Sequence, residues 1–151
     1  RRALPVEVQA LIVKSSAPQP RRVVNGVDSS RVAMLLAVLE RRAAMKLSDF
    51  DVYVSTVGGI RITEPGADLA IALAIASAFK SRALPSHLAA VGEISLAGEV
   101  RAVSSTKQRV AEATRLGFTK IIGTDAPHIY DAIRQAFLGS VDDGVHGVPD
   151  F

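Results

Sequence analysis

The stretch that most restricts how this chain can fold is Leu69–Phe79, "LAIALAIASAF", small and apolar on nearly every side. A helix with no polar face has nothing to offer water, so it must be central and covered by other elements. The residues before it, "TEPGAD" (Thr63–Asp68), supply the start. Pro65 suits the first helical position, where its missing N–H is not needed, and Asp68 in the first turn favours the positive end of the helix dipole. Gly66 falls where a reactive side chain would be displayed on that turn.

The covering elements are readable on either side. "VEVQALIV" (Val6–Val13) has strand character, and "SSAPQP" is a loop; "RRVVNG" reads as the strand returning from it, turning at Asn25-Gly26. In "DSSRVAMLLAVLERRAAMKL", Val32, Leu35, Leu36 and Leu39 recur at helical spacing behind the N-cap residues Asp28, Ser29 and Ser30. "DVYVSTVGG" alternates as a strand and leads through Gly58-Gly59 into a short "IRIT" strand. "AAVGEISLAGEVRAV" reads as two strands joined across "LAG". "SSTKQRVAEATRLGF" reads as a helix closed by Gly117. "TKIIG" is a short strand, and Ile129, Ile133 and Phe137 mark a last helix closed by Gly139. Hairpins interspersed with single helices predict an α/β sandwich, helices covering a mixed sheet. With 151 residues, 48% of them hydrophobic, one domain is expected over 1–139 and a polar, glycine-rich tail over 140–151.

Several chemistries are excluded by residue type. There is no cysteine, hence no disulfide, thiolate zinc site or cysteine nucleophile. His87, His128 and His146 are too far apart in sequence for a local metal-ligand pair, so no metal is expected. The phosphate-loop pattern GxxxxGK[ST], the GxSxG elbow and a zincin helix are all missing, and no cofactor is expected in this domain. No run approaches eighteen apolar residues, and "RRALPVEVQA" has no signal-peptide core. The expected setting is the cytoplasm, without a membrane.

Two segments together, "GGIRITEPGADLAIALAIASA" and "VGEISLAGEVRAVSSTKQRVAEATRLGF", resemble the proteolytic domain of the Lon proteases. In that family a Pro-Ser-Ala-Gly motif opens the buried helix with the nucleophile of a serine–lysine dyad, and a helix after the "GEI" hairpin carries the lysine. Matching the motif to Pro65-Gly66-Ala67-Asp68 sets Gly66 at the serine position and Lys107 at the lysine position. The resemblance therefore implies a Lon-protease-domain-like (ribosomal protein domain-like) α/β sandwich whose dyad is degenerate. Thr63, Ser104 and Ser105 read as turn and cap residues rather than substitutes. An active serine–lysine peptidase is the least favoured alternative.

From Leu4 to about Phe137, "VEVQALI", "PRRVVNGVD", "LLAVLERR", "VGGIRITEPGADLAIALAIAS" and "GEISLAGEVRAV" occur in the order seen in the C-terminal Lon-like domain of the RadA (Sms) family of bacterial DNA-repair proteins, which the chain resembles. That resemblance implies a DNA-dependent ATPase that processes recombination intermediates by branch migration, as a hexameric ring with RecA as partner, at the nucleoid. ATP, Mg and Zn would belong to a zinc finger and ATPase core upstream of Arg1.

Charge gives an independent pointer to DNA. Nine Lys/Arg against three Asp/Glu from Arg1 to Lys46 give +6, while the remainder carries −3. Such a local excess favours a polyanion. Arg31, in the first turn of its helix, opposes the dipole, a placement that local stability does not ask for. Arg22, Arg31 and Arg101 are expected to form a patch on phosphates, with Arg21 on the opposite face of the same strand. Aromatics are 5% of the chain, so base stacking is not expected. A ring-forming scaffold without direct DNA contact is the alternative from another class.

Overall fold

The computed structural model describes residues 7–138, so Gly139 and the tail expected over 140–151 lie outside the described residues. Strand β1 (Val8–Lys14) pairs antiparallel with β3 (Phe50–Thr56), and β2 (Arg22–Asn25) pairs parallel with the other edge of β3. The order β1-β3-β2 makes a mixed sheet. This differs from the expected hairpin, because "RRVVNG" does not return onto β1. Asn25-Gly26 leads instead into helix α1 (Ser29–Arg42), the crossover that parallel pairing requires. Gly26 has φ +84°, and a Cβ there would fall 2.1 Å from Thr56 Oγ1, so only glycine lets this turn lie against β3.

Side-chain alternation sets the two faces of the sheet. Val52 and Val54 are buried beneath the helices, with Val8, Ala10, Ile12 and Val24 packed against the same core. The opposite face carries a row across all three strands, Leu11 opposite Tyr53 opposite Val23, with Leu11 and Val23 exposed. Helix α1 begins at the N-cap Asp28, whose side chain accepts from the Ser30 N–H, and buries Val32, Leu35, Leu36, Val38 and Leu39.

After β3 the chain makes a single 3-10 turn at Val57–Gly59, with Gly58 and Gly59 both at positive φ. The "IRIT" segment that follows forms no strand. Two successive left-handed residues turn it away from sheet geometry, and it is tied back by the Ile62 N–H donating to the Gly26 carbonyl at 2.6 Å. A second 3-10 turn, Pro65–Ala67, runs directly into α2 (Asp68–Lys80). Every residue of α2 from Leu69 to Ala76 except Ala70 is buried, as its all-round apolar sequence demands. It packs on β1, α1, α4 (Ile129–Leu138) and the hairpin strand β5 (Glu93–Ile94).

The remaining strands are short. β4 (Leu88–Ala90) pairs parallel with β7 (Lys120–Ile122), and β5 pairs antiparallel with β6 (Val100–Arg101). The expected hairpin is thus confined to its second half, because the Ala89-Ala90 segment is taken by β7. Gly98, in the hairpin turn, has φ +87°; a Cβ there would fall 2.5 Å from His128 Nε2. Helix α3 (Thr106–Arg115) buries none of its residues, whereas α4 buries Ile129, Ala132, Ile133, Ala136 and Phe137. Among the described residues no helix is long and apolar enough to cross a membrane, and no group of three or more His, Asp or Glu could hold a metal ion.

Leu69 and Leu73 lie on α2 with 0% and 1% of their surface exposed. Leu73→Ala should therefore cost about 2–5 kcal/mol, the range for a buried leucine cavity. Urea unfolding followed by circular dichroism measures this, and an unchanged midpoint would contradict the central placement of α2.

Candidate nucleic-acid interface

The start of α2 is organised by one buried carboxylate. Asp68 is 1% exposed, on a helix otherwise lined with alanine, leucine and isoleucine. Arg31, from the first turn of α1, approaches it side-on: Nε donates to Oδ1 at 2.9 Å and Nη2 donates to Oδ2. The Ile94 N–H of β5 donates to the same Oδ2 at 3.0 Å. One carboxylate thus joins two helix starts and the hairpin. The hydrogen bond to Asp68 is the main cause that raises the Arg31 guanidinium above its ordinary value, with the charges of Asp68, Glu93 and Asp28 adding to it against burial. Arg31 consequently has the structural reason that sequence alone did not supply: its unfavourable position on the α1 dipole is offset by a two-pronged pair with a buried acid.

The four arginines of the expected patch have two sets of partners. Arg31 Nη2 also stands 3.9 Å from Glu93, and Glu93 lies directly opposite Arg101 in the β5–β6 register. Arg31 and Arg101 are therefore brought together around Glu93. Arg101 is exposed and pairs with Glu99 at 2.6 Å, which holds its guanidinium above its ordinary value. Arg22 belongs elsewhere. Its guanidinium donates to the carbonyls of Phe50, Leu47 and Arg21, beyond the C-terminal end of α1. Arg21 is beside it, its N–H donating to Asp51 Oδ1 at 2.7 Å. Because β2 feeds α1 through Gly26–Asp28, Arg22 sits at the strand end remote from that connection while Arg31 sits just past it. Arg31 and Arg101 thus share Glu93, while Arg21 and Arg22 make their contacts with Asp51, Leu47 and Phe50.

Gly66 is buried at the turn that opens α2. A Cβ built there would meet Val103 Cγ2 at 3.0 Å and Arg109 Nη1 at 3.3 Å. The cation facing Gly66 is thus Arg109, half-buried and paired through Nη2 with Glu64, and not Lys107, which is exposed. The two positions are separated by two residues on α3, about 200° around the helix, so only one can face the turn. A guanidinium stays protonated in proteins and cannot take a proton as a base. Thr63 is exposed; Ser104 is exposed; Ser105 is held at φ 65°, and the neighbouring Thr106 Oγ1 accepts from the Val103 N–H at 3.0 Å, a turn-forming contact. Sequence reasoning missed Arg109, Glu93 and Glu99, and gave Asp68 only a dipole role. The available signal was an aspartate on an otherwise apolar helix together with an arginine in another helix's first turn.

A protein-family model described as subunit ChlI of Mg-chelatase matches residues 39–126. Among curated proteins, the DNA repair protein RadA of Mycolicibacterium smegmatis is 52% identical over 116 residues, 77% of this chain and 25% of that protein. That of Halalkalibacterium halodurans is 49% identical over 120 residues, 80% of this chain and 26% of the protein. The Escherichia coli RadA is 46% identical over 121 residues, with the same two shares, 80% and 26%. The chain spans about a quarter of the length of these relatives.

Arg31→Met leaves the Asp68 carboxylate buried without its cation and should destabilise the domain by about 3–5 kcal/mol. Arg31→Met with Asp68→Asn, which keeps an acceptor for the Ile94 N–H, should recover most of that stability in urea unfolding; equal destabilisation of both variants would refute the pairing. Gly66→Ser should destabilise by about 1–3 kcal/mol through crowding against Val103 and Arg109. It should also show no turnover of labelled casein; appearance of turnover would mean that Arg109 does not block the site.

Proposed function

This chain belongs to the family described as subunit ChlI of Mg-chelatase, and from that footing we propose that it is a Lon-like, non-hydrolysing, DNA-contacting domain of a RadA-type DNA repair protein. The observation that carries the reading is the 44–52% identity to DNA repair proteins named RadA over about four-fifths of the chain. Gly66 and Arg109 support the non-hydrolysing part: one lacks a nucleophile and the other cannot serve as a base. The Lon-like part rests on the segments around the buried helix and the "GEI" hairpin.

In this reading the domain contributes phosphate contacts through Arg22, Arg31 and Arg101, with Arg21 beside Arg22. Arg31 spends two donors on Asp68, and its remaining N–H groups, on a side chain 28% exposed, are available to a phosphate. Binding of this kind is salt-sensitive and independent of sequence. The rest of a RadA-type protein would supply ATP hydrolysis with Mg and a Zn-binding element, driving branch migration of recombination intermediates with RecA, in the cytoplasm at the nucleoid. Self-association into a hexameric ring would multiply weak phosphate contacts by effective concentration. The exposed row of Leu11 and Val23 flanking Tyr53 on the outer sheet face supports such an interface.

Fluorescence anisotropy with labelled duplex and single-stranded DNA, over a salt series, tests the contact. Arg22→Ala with Arg101→Ala should weaken binding for all sequences and flatten the slope of log affinity against log salt by about two, one for each phosphate no longer neutralised. Unchanged affinity and slope would leave only the scaffold role. A monomer at all concentrations in sedimentation equilibrium would remove that role from the domain.

A further inference from the structure

The arginines of the Arg31–Arg101 end each have a carboxylate partner: Asp68 for Arg31, Glu99 for Arg101 and Glu64 for Arg109. The pairs are not equivalent. Asp68 is buried and also accepts from the Ile94 N–H, so its pair holds the fold together. The Arg101–Glu99 pair is open to solvent, its side chains 63% and 53% exposed. Glu99 is nevertheless oriented: its own N–H donates to Ser95 Oγ at 3.0 Å, and Ser95 Oγ lies 3.5 Å from the Glu99 carboxylate. The backbone of Glu99 is also bridged to His128.

A carboxylate and a phosphodiester present the same pair of anionic oxygens to a guanidinium fork. We infer that Glu99 is a built-in competitor for nucleic-acid phosphate at Arg101, so that the β5–β6 hairpin binds phosphate by exchange rather than by simple addition. Glu93, opposite Arg101 across the hairpin, adds repulsion of the same sign. The hydrogen bond and charge of Arg101 hold the Glu99 carboxyl below the usual carboxylate range, with Ser95 and the charge of His128 acting in the same direction, so the competitor is ionised throughout the neutral range. Arg22 differs in kind. Its partners are the carbonyls of Leu47, Phe50 and Arg21, which are dipoles, and among the described residues it forms no ion pair. Phosphate can meet Arg22 without competing with a paired anion, whereas at Arg101 it competes with Glu99 for Nη2 and for the guanidinium charge.

This inference rests on the reading of Arg101 as a phosphate contact, and the test separates the two. Anisotropy with labelled duplex DNA at low salt compares the full chain with Glu99→Gln, Arg101→Ala, the double variant and Glu7→Gln. Glu7 is exposed and forms no ion pair among the described residues, so its variant makes the same change in net charge away from the hairpin. Glu99→Gln should tighten binding about two- to fivefold, the range an exposed pair supplies. The gain should vanish in the Arg101→Ala background, and Glu7→Gln should give a clearly smaller one. Weakening by Arg101→Ala with no gain from Glu99→Gln, or an equal gain from Glu7→Gln, overturns the competitor and leaves the contact standing. No weakening by Arg101→Ala removes the contact and the competitor together.

Discussion

The carboxylate of Asp68 is the point on which this architecture depends. A helix as apolar as α2 could slide or rotate among its neighbours with little change in hydrophobic burial, because its faces are nearly equivalent. A single buried charge ends that equivalence. It has to meet the Arg31 fork and the Ile94 N–H at once, and only one rotation and one axial position of α2 allow both. The register of α1 on α2, and of the hairpin on both, follows from that requirement.

Shared dependence on one acid also links the functional features. Gly66 lies two residues before Asp68 on the same turn, and its carbonyl accepts from the Gly92 N–H at 3.0 Å, while the Leu69 N–H donates to the Gly92 carbonyl at 3.0 Å. Gly92 immediately precedes Glu93, which faces Arg101. The buried turn and the exposed hairpin are therefore one hydrogen-bonded unit. The arginine group at Arg21 and Arg22 is built differently, on the carbonyls of Leu47 and of Phe50 at the start of β3, with no contact to Asp68.

Sequence is most informative where structure is local. The four-residue steps of Ile129, Ile133 and Phe137, the series in α1 and the all-round apolar run of α2 each mark a helix in its observed place, because helical contacts recur within a turn. Strand partners are less legible. The placement of β3 between β1 and β2, and of β7 beside β4, is decided by pairings between distant segments that no short pattern records. The site follows the same division. Gly66 is visible from its place before the helix, but the partner of Arg31 is thirty-seven residues away, and the choice of Arg109 over Lys107 depends on how α3 is rotated about its axis. Arg31 stands out in the sequence for a sound reason, a cation against a dipole, whose resolution lies in another helix.

Helix α3 has no buried residue, and its start is attached through the Thr106 contacts with Val103 and the Arg109–Glu64 pair. The buried core is drawn mainly from α1, α2, α4 and the sheet and includes no residue of α3. Free energies of local opening scale with the apolar surface that must be exposed, so α3 is held less firmly than α1, α2 or α4, each of which buries several apolar side chains. The wall that α3 and its approach set beside Gly66 is thus fastened by an ion pair and turn hydrogen bonds rather than by burial, so its position depends on Glu64 and Thr106 more than on the apolar core.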